Sequence, residues 1–154
     1  MLVFQLGDVR CALPLDAVLE VVRAVRITPL PTAPAVIEGV IDVRGDLVPV
    51  LDLRARLGMA PVPVRPDHIL ILARAGDRTV AVRADAVEWI ASLDASRLVQ
   101  PERVARGIGY LAGVGRTPDG IVLVHDLDAF MRQGEAEALE TALARHRPAA
   151  RVDA

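Results

Sequence analysis

The second half of this chain repeats the pattern of the first half. Residues 37–53 match residues 111–127 at a constant offset of 74 positions, with a Gly-Val pair and an Asp-Leu pair in register. Further upstream, residues 7–18 match residues 76–87 at an offset of 69 positions. Such a duplication constrains the fold strongly, because both copies must form the same elements and bury equivalent apolar faces.

Short apolar strands separated by glycine-containing turns dominate both copies. Residues 2–6 and 9–13 flank a Gly-Asp pair and therefore predict a hairpin, and residues 69–73 and 79–82 flank the matching pair in the second copy. Each copy contains a later strand rich in β-branched residues, at 47–51 and 121–124.

Strands this short and this apolar favour small barrels over an open sheet. The simplest architecture is two equivalent lobes, one for each repeat, although a strand could cross between lobes. Pro49 lies inside one apolar run and predicts a sheet edge or a bulge there. We therefore expect a mostly β domain at residues 1–133, with its two repeats at about 2–58 and 69–133.

Each repeat is predicted to end in a short helix, and a longer helix is predicted at the C-terminus. Asp52 and Asp126 are the expected N-caps of helices at 53–57 and 127–133. Residues 134–147 form the predicted C-terminal helix, and residues 148–154 a flexible tail. An apolar stripe, which would pack on its own domain or bind a partner, is formed by Ala136, Leu139, Ala142 and Leu143.

Composition argues against several classes of function. Aromatic residues make up 3% of the chain, and the net charge is −2. This argues against binding nucleic acid by base stacking or an anionic membrane by a polybasic segment. Neither a signal peptide nor a long apolar span is present, so we expect a soluble, cytoplasmic protein. The single cysteine, Cys11, lies in an apolar run and is expected to be buried and unreactive.

The residues needed for catalysis form no recognisable arrangement. Ser92 and Ser96 lack a nucleophile-elbow pattern. His68, His125 and His146 lack metal-ligand spacing, and we interpret them as structural or surface residues. No glycine-rich phosphate-binding fingerprint occurs. We therefore predict a protein that is not an enzyme, with no catalytic residues, no metal and no cofactor.

The two repeats differ at one turn. Residues 43–46 read Val-Arg-Gly-Asp, whereas the matching residues 117–120 read Thr-Pro-Asp-Gly. An arginine at a strand end can bind a partner carboxylate through two parallel hydrogen bonds. Arg44 is therefore either a docking residue or an ordinary exposed arginine, and composition alone favours the second interpretation.

A longer run around this turn resembles a known family. Residues 39–58 read Gly-Val-Ile-Asp-Val-Arg-Gly-Asp-Leu-Val-Pro-Val-Leu-Asp-Leu-Arg-Ala-Arg-Leu-Gly and closely resemble the signature of CheW-like chemotaxis adaptors. The family usually has Asn-Leu-Arg-Gly where this chain has Asp42-Val43-Arg44-Gly45, which adds a negative charge. Other segments agree in order, so that the resemblance covers roughly residues 1–132; they lie at 2–7, 15–21, 31–34, 85–87 and 110–114.

The resemblance implies two SH3-like five-stranded β-barrels, related by the duplication and packed around a shared apolar interface. It also implies a non-catalytic adaptor that joins the regulatory domain of a CheA-type histidine kinase to the cytoplasmic tips of methyl-accepting chemoreceptors. Such an adaptor is cytoplasmic, associates with the membrane only through receptor arrays, and binds no nucleic acid. The resemblance identifies no kinase-contact residues in this chain. By motif match, the receptor-facing candidates are Val18, Glu20, Val36, Gly39, Arg44 and Gly45.

Two alternatives stay open at this point. The same fold could serve a chemosensory-like pathway unrelated to flagella, or the cleft between the lobes could bind a small ligand. A ligand sensor requires convergent polar groups in an apolar pocket. The sequence offers only Arg44 and Tyr110 for that role.

Overall fold

The computed structural model describes residues 1–90, 93, 95–100, 111–132 and 143–144. These described residues form ten strands: β1 (Leu2–Leu6), β2 (Val9–Leu13), β3 (Val18–Arg23), β4 (Ile37–Val43), β5 (Asp46–Leu51), β6 (Ile69–Ala75), β7 (Arg78–Ala84), β8 (Ala86–Ile90), β9 (Leu111–Thr117) and β10 (Gly120–His125). The helices are α1 (Leu53–Arg56) and α2 (Leu127–Arg132), with single 3-10 turns at Leu15–Ala17 and Ala95–Arg97.

The strands form two five-stranded sheets, and each sheet takes strands from both repeats. Lobe A has the strand order β8-β1-β2-β10-β9, and lobe B has the order β3-β6-β7-β5-β4. The first hairpin of each repeat therefore lies in one lobe, and its other three strands lie in the other lobe. The expectation of one lobe per repeat was wrong. Parallel pairing of β2 with β10, and of β5 with β7, joins the repeats, because the hairpin of one repeat lies between the first strand and the last two strands that the other repeat contributes to the sheet.

The inner strands of each sheet are largely buried on both faces because the two lobes pack against each other. In β1, Phe4 belongs to the largest apolar cluster, together with Ile71 and Val82 from lobe B. Its neighbour Val3 points to the opposite face of the sheet and belongs to a smaller cluster within lobe A. A third cluster, which contains Val50, fills lobe B. The shared apolar interface is therefore confirmed, and it explains why apolar residues run consecutively instead of alternating with polar ones.

A polar junction links the lobes where β7 leads into β8. Asp85 accepts a hydrogen bond from the Gly7 amide of lobe A at 2.7 Å and forms an ion pair with the buried Arg54 at 2.5 Å. Burial of Asp85 opposes its ionisation, but the hydrogen bonds from Arg54 and Gly7 outweigh burial and lower its pKa. A buried guanidinium requires a paired charge, so Arg54 of α1 is held at the Asp85 carboxylate. Asp85 therefore connects α1 with both lobes.

A buried arginine holds the link between the repeats. Arg83 forms an ion pair with Glu38 at 2.7 Å and donates a hydrogen bond to the carbonyl oxygen of Val62 at 2.6 Å. His68 is buried beside it, and its Nδ1 accepts a hydrogen bond from the amide of Arg65 at 3.1 Å. The prediction that His68 is a structural residue is confirmed.

Both predicted helix caps are present. The Asp52 carboxylate accepts a hydrogen bond from the amide of Ala55 at 3.1 Å, and the Asp126 carboxylate accepts one from the amide of Ala129 at 3.0 Å. The first helix is one residue shorter than predicted. The predicted end of the second helix lies outside the described residues.

Pro49 lies in β5, which is not an edge strand of lobe B. Its partner in β4 is Val40, whereas the pairing of β5 with β7 is formed by Val50 and Leu51. At Pro49, β5 is therefore paired with β4 and not with β7. The missing N–H of proline thus interrupts no hydrogen bond to β7. The expected edge strand is therefore wrong, whereas a register shift in the pairing of β4 with β5 falls next to Pro49, between the partners of Val50 and Leu51.

Most of the predicted C-terminal helix and the whole predicted tail, residues 148–154, lie outside the described residues. Leu143 and Ala144 are helical, and Leu143 is buried in the largest apolar cluster. This contact favours packing of the predicted stripe on its own domain. Within the described ranges, no helix is long and apolar enough to cross a membrane.

His125 is a buried histidine at the position that Leu51 occupies in the first repeat. Its ring centroid lies 6.3 Å from that of Phe4, and burial lowers its pKa to about 4. Between the folded pKa and the ordinary value of 6.5, the unfolded chain binds a proton at this residue that the folded chain does not bind. The free energy of unfolding therefore falls as pH falls through this range.

We expect His125→Leu to reduce this sensitivity to acid. A change of one unit in pKa is worth about 1.4 kcal/mol, so the wild type should lose roughly 3 kcal/mol more stability than the variant between pH 7 and pH 4. Urea unfolding curves at a series of pH values would measure this difference. Parallel pH dependences in the two proteins would contradict the assignment to His125.

Candidate docking site

The turn between β4 and β5 has an uncommon backbone conformation for an arginine. Arg44 has a φ of 51° and Gly45 a φ of 91°, which is typical of a two-residue hairpin turn with both central residues in the left-handed region. The Asp42 carboxylate accepts a hydrogen bond from the Gly45 amide at 2.8 Å. An asparagine oxygen could accept the same bond, so the departure from the usual family residue preserves the turn.

The turn presents Arg44 to an ion pair with Glu20 of β3. Arg44 Nη2 lies 2.9 Å from Glu20 Oε2, and the two side chains are 74% and 39% exposed. The hydrogen bond from Arg44 lowers the pKa of Glu20 and raises that of Arg44. Because β3 and β4 are the two end strands of lobe B, the pair spans the open edge of this barrel, which we call the lobe B seam. An exposed pair of this kind adds little stability.

A pocket of about 300 Å³ opens beside this ion pair. Its charged and polar lining comprises Glu20, Arg44, Asp46, Arg78 and Thr79. Its apolar lining comprises Leu19, Val43, Leu47, Val48 and Leu72. We call this opening the seam pocket; it combines apolar walls with two guanidinium groups and two carboxylates at the surface.

The remaining candidates have different surroundings. Gly39 is buried, and a Cβ at this position would collide with the carbonyl oxygen of Thr28. Val18 and Val36 are partly buried against the largest apolar cluster. Val18 lies two residues before Glu20 in β3, whereas Val36 precedes β4 at the end opposite to the Arg44 turn. The structure therefore brings Glu20, Arg44 and Gly45 together, with Val18 nearby, but not Val36 or Gly39.

Leu19 is a residue of the seam pocket that the sequence analysis missed. A register shift in the pairing of β3 with β6 falls between Val18 and Glu20 and takes Leu19 out of the regular ladder. Its side chain is 48% exposed. The apolar run of β3 gives no sign of this, because only the register of its partner strand decides which residue bulges out.

The cleft between the lobes contains a second pocket of about 380 Å³. Its lining includes Asp16, Arg74, Asp126 and Asp128. Asp126 caps α2, and the Asp128 carboxylate accepts a hydrogen bond from the amide of Gly76. Two of the three carboxylates thus hold main-chain amides, which does not favour a ligand-sensing role. Tyr110, the other polar group proposed for that role, lies outside the described residues.

Comparison with known proteins places the duplicated fold and the Arg44 turn in one family. Residues 1–135 match the profile of the CheW-like domain. The chain belongs to the CheW-like family. Chemotaxis protein CheW of Rhizobium meliloti (strain 1021) is 34% identical over 147 residues, which cover 90% of each chain. Protein FrzA of Myxococcus xanthus is 36% identical over 98 residues, which cover 64% of this chain and 61% of FrzA.

A solved structure of the family has the same fold. The crystal structure of the scaffolding protein TtCheW from Thermoanaerobacter tengcongensis superposes with a TM-score of 0.77 at 27% sequence identity, covering 87% of this chain and 92% of TtCheW. The mostly β architecture of two SH3-like lobes is thereby confirmed. The CheW-like domain, its CheW and FrzA relatives and this scaffold identify the chain as a chemotaxis coupling adaptor.

We expect Gly39→Ala to act on stability, although Gly39 belongs to the CheW-like motif. The new methyl group would meet a backbone carbonyl that cannot rotate away, and overpacking of this kind typically costs about 1–3 kcal/mol. Urea unfolding would measure the loss. Gly58→Ala measures backbone strain without a clash, since a Cβ there meets nothing within 4 Å while its φ of 71° costs an alanine about 1–2 kcal/mol. A Gly39→Ala protein as stable as the wild type would show that the segment at Thr28 yields easily.

Proposed function

We propose that this adaptor joins the cytoplasmic tips of methyl-accepting chemoreceptors to the regulatory domain of a CheA-type histidine kinase, without catalysing a reaction itself. The observation that carries the proposal is the exposed Arg44–Glu20 pair at the lobe B seam, at positions that the family resemblance implies as receptor-facing. The pair adds little to stability, yet it occupies a strained turn at the edge of the barrel. A binding role accounts for both features.

The chemistry of the described side chains supports a non-catalytic role. Burial raises the pKa of the Cys11 thiol to about 12, so this cysteine is a poor nucleophile at neutral pH. His68 and His125 are buried, and burial is the main cause that lowers the pKa of each ring. Among the described residues, no group of three or more histidine, cysteine, aspartate or glutamate side chains is placed to hold a metal ion.

The geometry of the seam suits a helical partner. A receptor tip is a helical hairpin, as the family resemblance implies, and such a hairpin presents apolar side chains with charged neighbours one turn away. The seam pocket offers apolar walls beside Arg44 and Glu20. An interface at this seam is expected to be small and partly polar. We therefore expect each pairwise contact to be weak and the assembly to be held together by multivalency. The adaptor then works at the cytoplasmic side of the membrane, within receptor arrays.

We expect saturable binding of this protein to the regulatory domain of a CheA-type kinase from the same organism. Titration calorimetry would measure it, with an unrelated protein of similar charge as the control. The absence of heat with every such kinase would contradict kinase coupling while leaving the fold and family membership intact.

We expect Arg44→Glu to weaken binding of a chemoreceptor tip hairpin without unfolding the protein. Substitution of an exposed residue typically costs less than about 0.5 kcal/mol, so the melting temperature should stay within a few degrees. The new carboxylate would repel Glu20 and any carboxylate of the partner. Titration calorimetry with the hairpin and thermal unfolding by circular dichroism would measure the two effects.

Arg116→Glu provides the matched control, because it makes the same charge change at an exposed arginine of β9 in lobe A. Equal loss of binding in both variants would indicate a general electrostatic effect. Global unfolding of Arg44→Glu alone would make Arg44 a structural residue.

A further inference from the structure

The duplication allows the lobe B seam to be compared with the same place in lobe A. At the offset of 69 residues, Thr79 corresponds to Arg10 and Leu19 corresponds to Glu88. Both Leu19 and Glu88 fall at a register shift, in β3 against β6 and in β8 against β1. The two lobes therefore share the backbone geometry of the seam and differ in the side chains that line it.

In lobe A this place is occupied by an arginine side chain. Arg10 is 13% exposed and forms an ion pair with Glu88 at 3.0 Å. It also donates a hydrogen bond to the hydroxyl of Thr117 at 2.7 Å. Thr117 corresponds to Val43 at the offset of 74 residues. One partly buried arginine thus connects β2, β8 and β9, and we call this arrangement the lobe A plug.

In lobe B the three corresponding residues are Thr79, Leu19 and Val43, which cannot form such a plug. All three line the seam pocket. Val48 lines the pocket, is buried, and belongs to the apolar cluster that fills lobe B. The pocket therefore borders the barrel core, and Leu19 in its lining is half exposed.

The ion pair beside the pocket is also specific to lobe B. Pro118 stands at the position of Arg44 in the second repeat, so lobe A has no guanidinium at that turn. Within the described part of the chain, Arg44 uses one nitrogen on Glu20. A guanidinium has five N–H donors, so Arg44 keeps donors for a second carboxylate.

We propose that the seam pocket is an anchor site that takes one large apolar side chain, Leu, Ile, Met or Phe, from a helix of the partner, with an acidic residue of that helix bound by Arg44. The identity of this partner as the chemoreceptor tip hairpin rests on the function proposed above. The anchor fills the volume that Arg10 fills in lobe A. Lobe B is therefore the lobe that engages the helix, and lobe A is sealed at the equivalent place.

The structure suggests a direct test, because lobe A shows how the seam can be closed. The double variant Leu19→Glu/Thr79→Arg copies the ion pair of the lobe A plug into lobe B. The mirror variant Arg10→Thr/Glu88→Leu removes the plug from lobe A. Binding of a chemoreceptor tip hairpin to each protein would be measured by titration calorimetry, with circular dichroism to establish that both are folded.

The plugged variant should bind the hairpin about tenfold or more weakly, as is typical when a buried anchor is lost. The mirror variant should bind within about twofold of the wild type, since substitutions outside an interface have small effects. Unchanged binding by the plugged variant, or an equal loss in the mirror variant, would overturn the proposal.

Methyl NMR of the wild type gives a readout that does not depend on the variants. Addition of the hairpin should shift the methyl signals of Leu19, Val43 and Leu72 more than that of Ile121, an exposed residue of lobe A. If Arg44→Glu weakens binding while the plugged variant and these methyl signals are unaffected, the anchor proposal fails and the adaptor function stands. If the wild type binds no receptor hairpin, the proposed function fails and the anchor proposal fails with it.

Discussion

The apolar interface between the two lobes is the interaction on which the rest of this structure depends. Phe4 from lobe A and Ile71 from lobe B meet in one cluster, while the opposite faces of the same strands fill the two barrels. A strand buried on both faces cannot leave its lobe without exposing two apolar surfaces. The exchange of hairpins between the repeats adds a second constraint, because neither repeat alone contains all five strands of a sheet.

A polar junction at Asp85 accompanies the apolar interface between the lobes. The carboxylate lies where the chain crosses from lobe B to lobe A and pairs with Arg54 while it accepts the Gly7 amide. Breaking such a partly buried pair by removing one partner costs more than the pair itself contributes. Removal of Arg54 or Asp85 alone would therefore leave an unpaired charge at the junction between the lobes.

The two lobes share one fold and differ in the side chains that line their seams. Both lobes have a seam at the same place in the fold, with a bulged residue at Leu19 in one and at Glu88 in the other. In lobe A the seam is filled by Arg10. In lobe B it is lined by apolar side chains, and the Arg44–Glu20 pair stands at its edge. An adaptor with two similar lobes can thus present different surfaces to different partners.

Much of the local structure was predictable from the sequence, because it depends on near neighbours. Both hairpins around Gly-Asp turns are present where the spacing predicted them. The caps at Asp52 and Asp126 also follow from local chemistry, since the side chain and the amide it binds are three residues apart. The exposure of Leu19 was not predictable, because it follows from a register shift against a strand some fifty residues later in the chain.

The sequence by itself determined the duplication, the strand-rich character, the turns and the family. Each of these depends on the order of the residues or on a motif of adjacent residues. Only the tertiary structure decided which lobe each strand joins, that Gly39 is a packing residue, and that Arg44 and Glu20 form an ion pair. The physical reason is the same in each case. Strand exchange, close packing and the ion pair join residues distant in sequence, and their energies depend on three-dimensional contact, which the linear pattern does not contain.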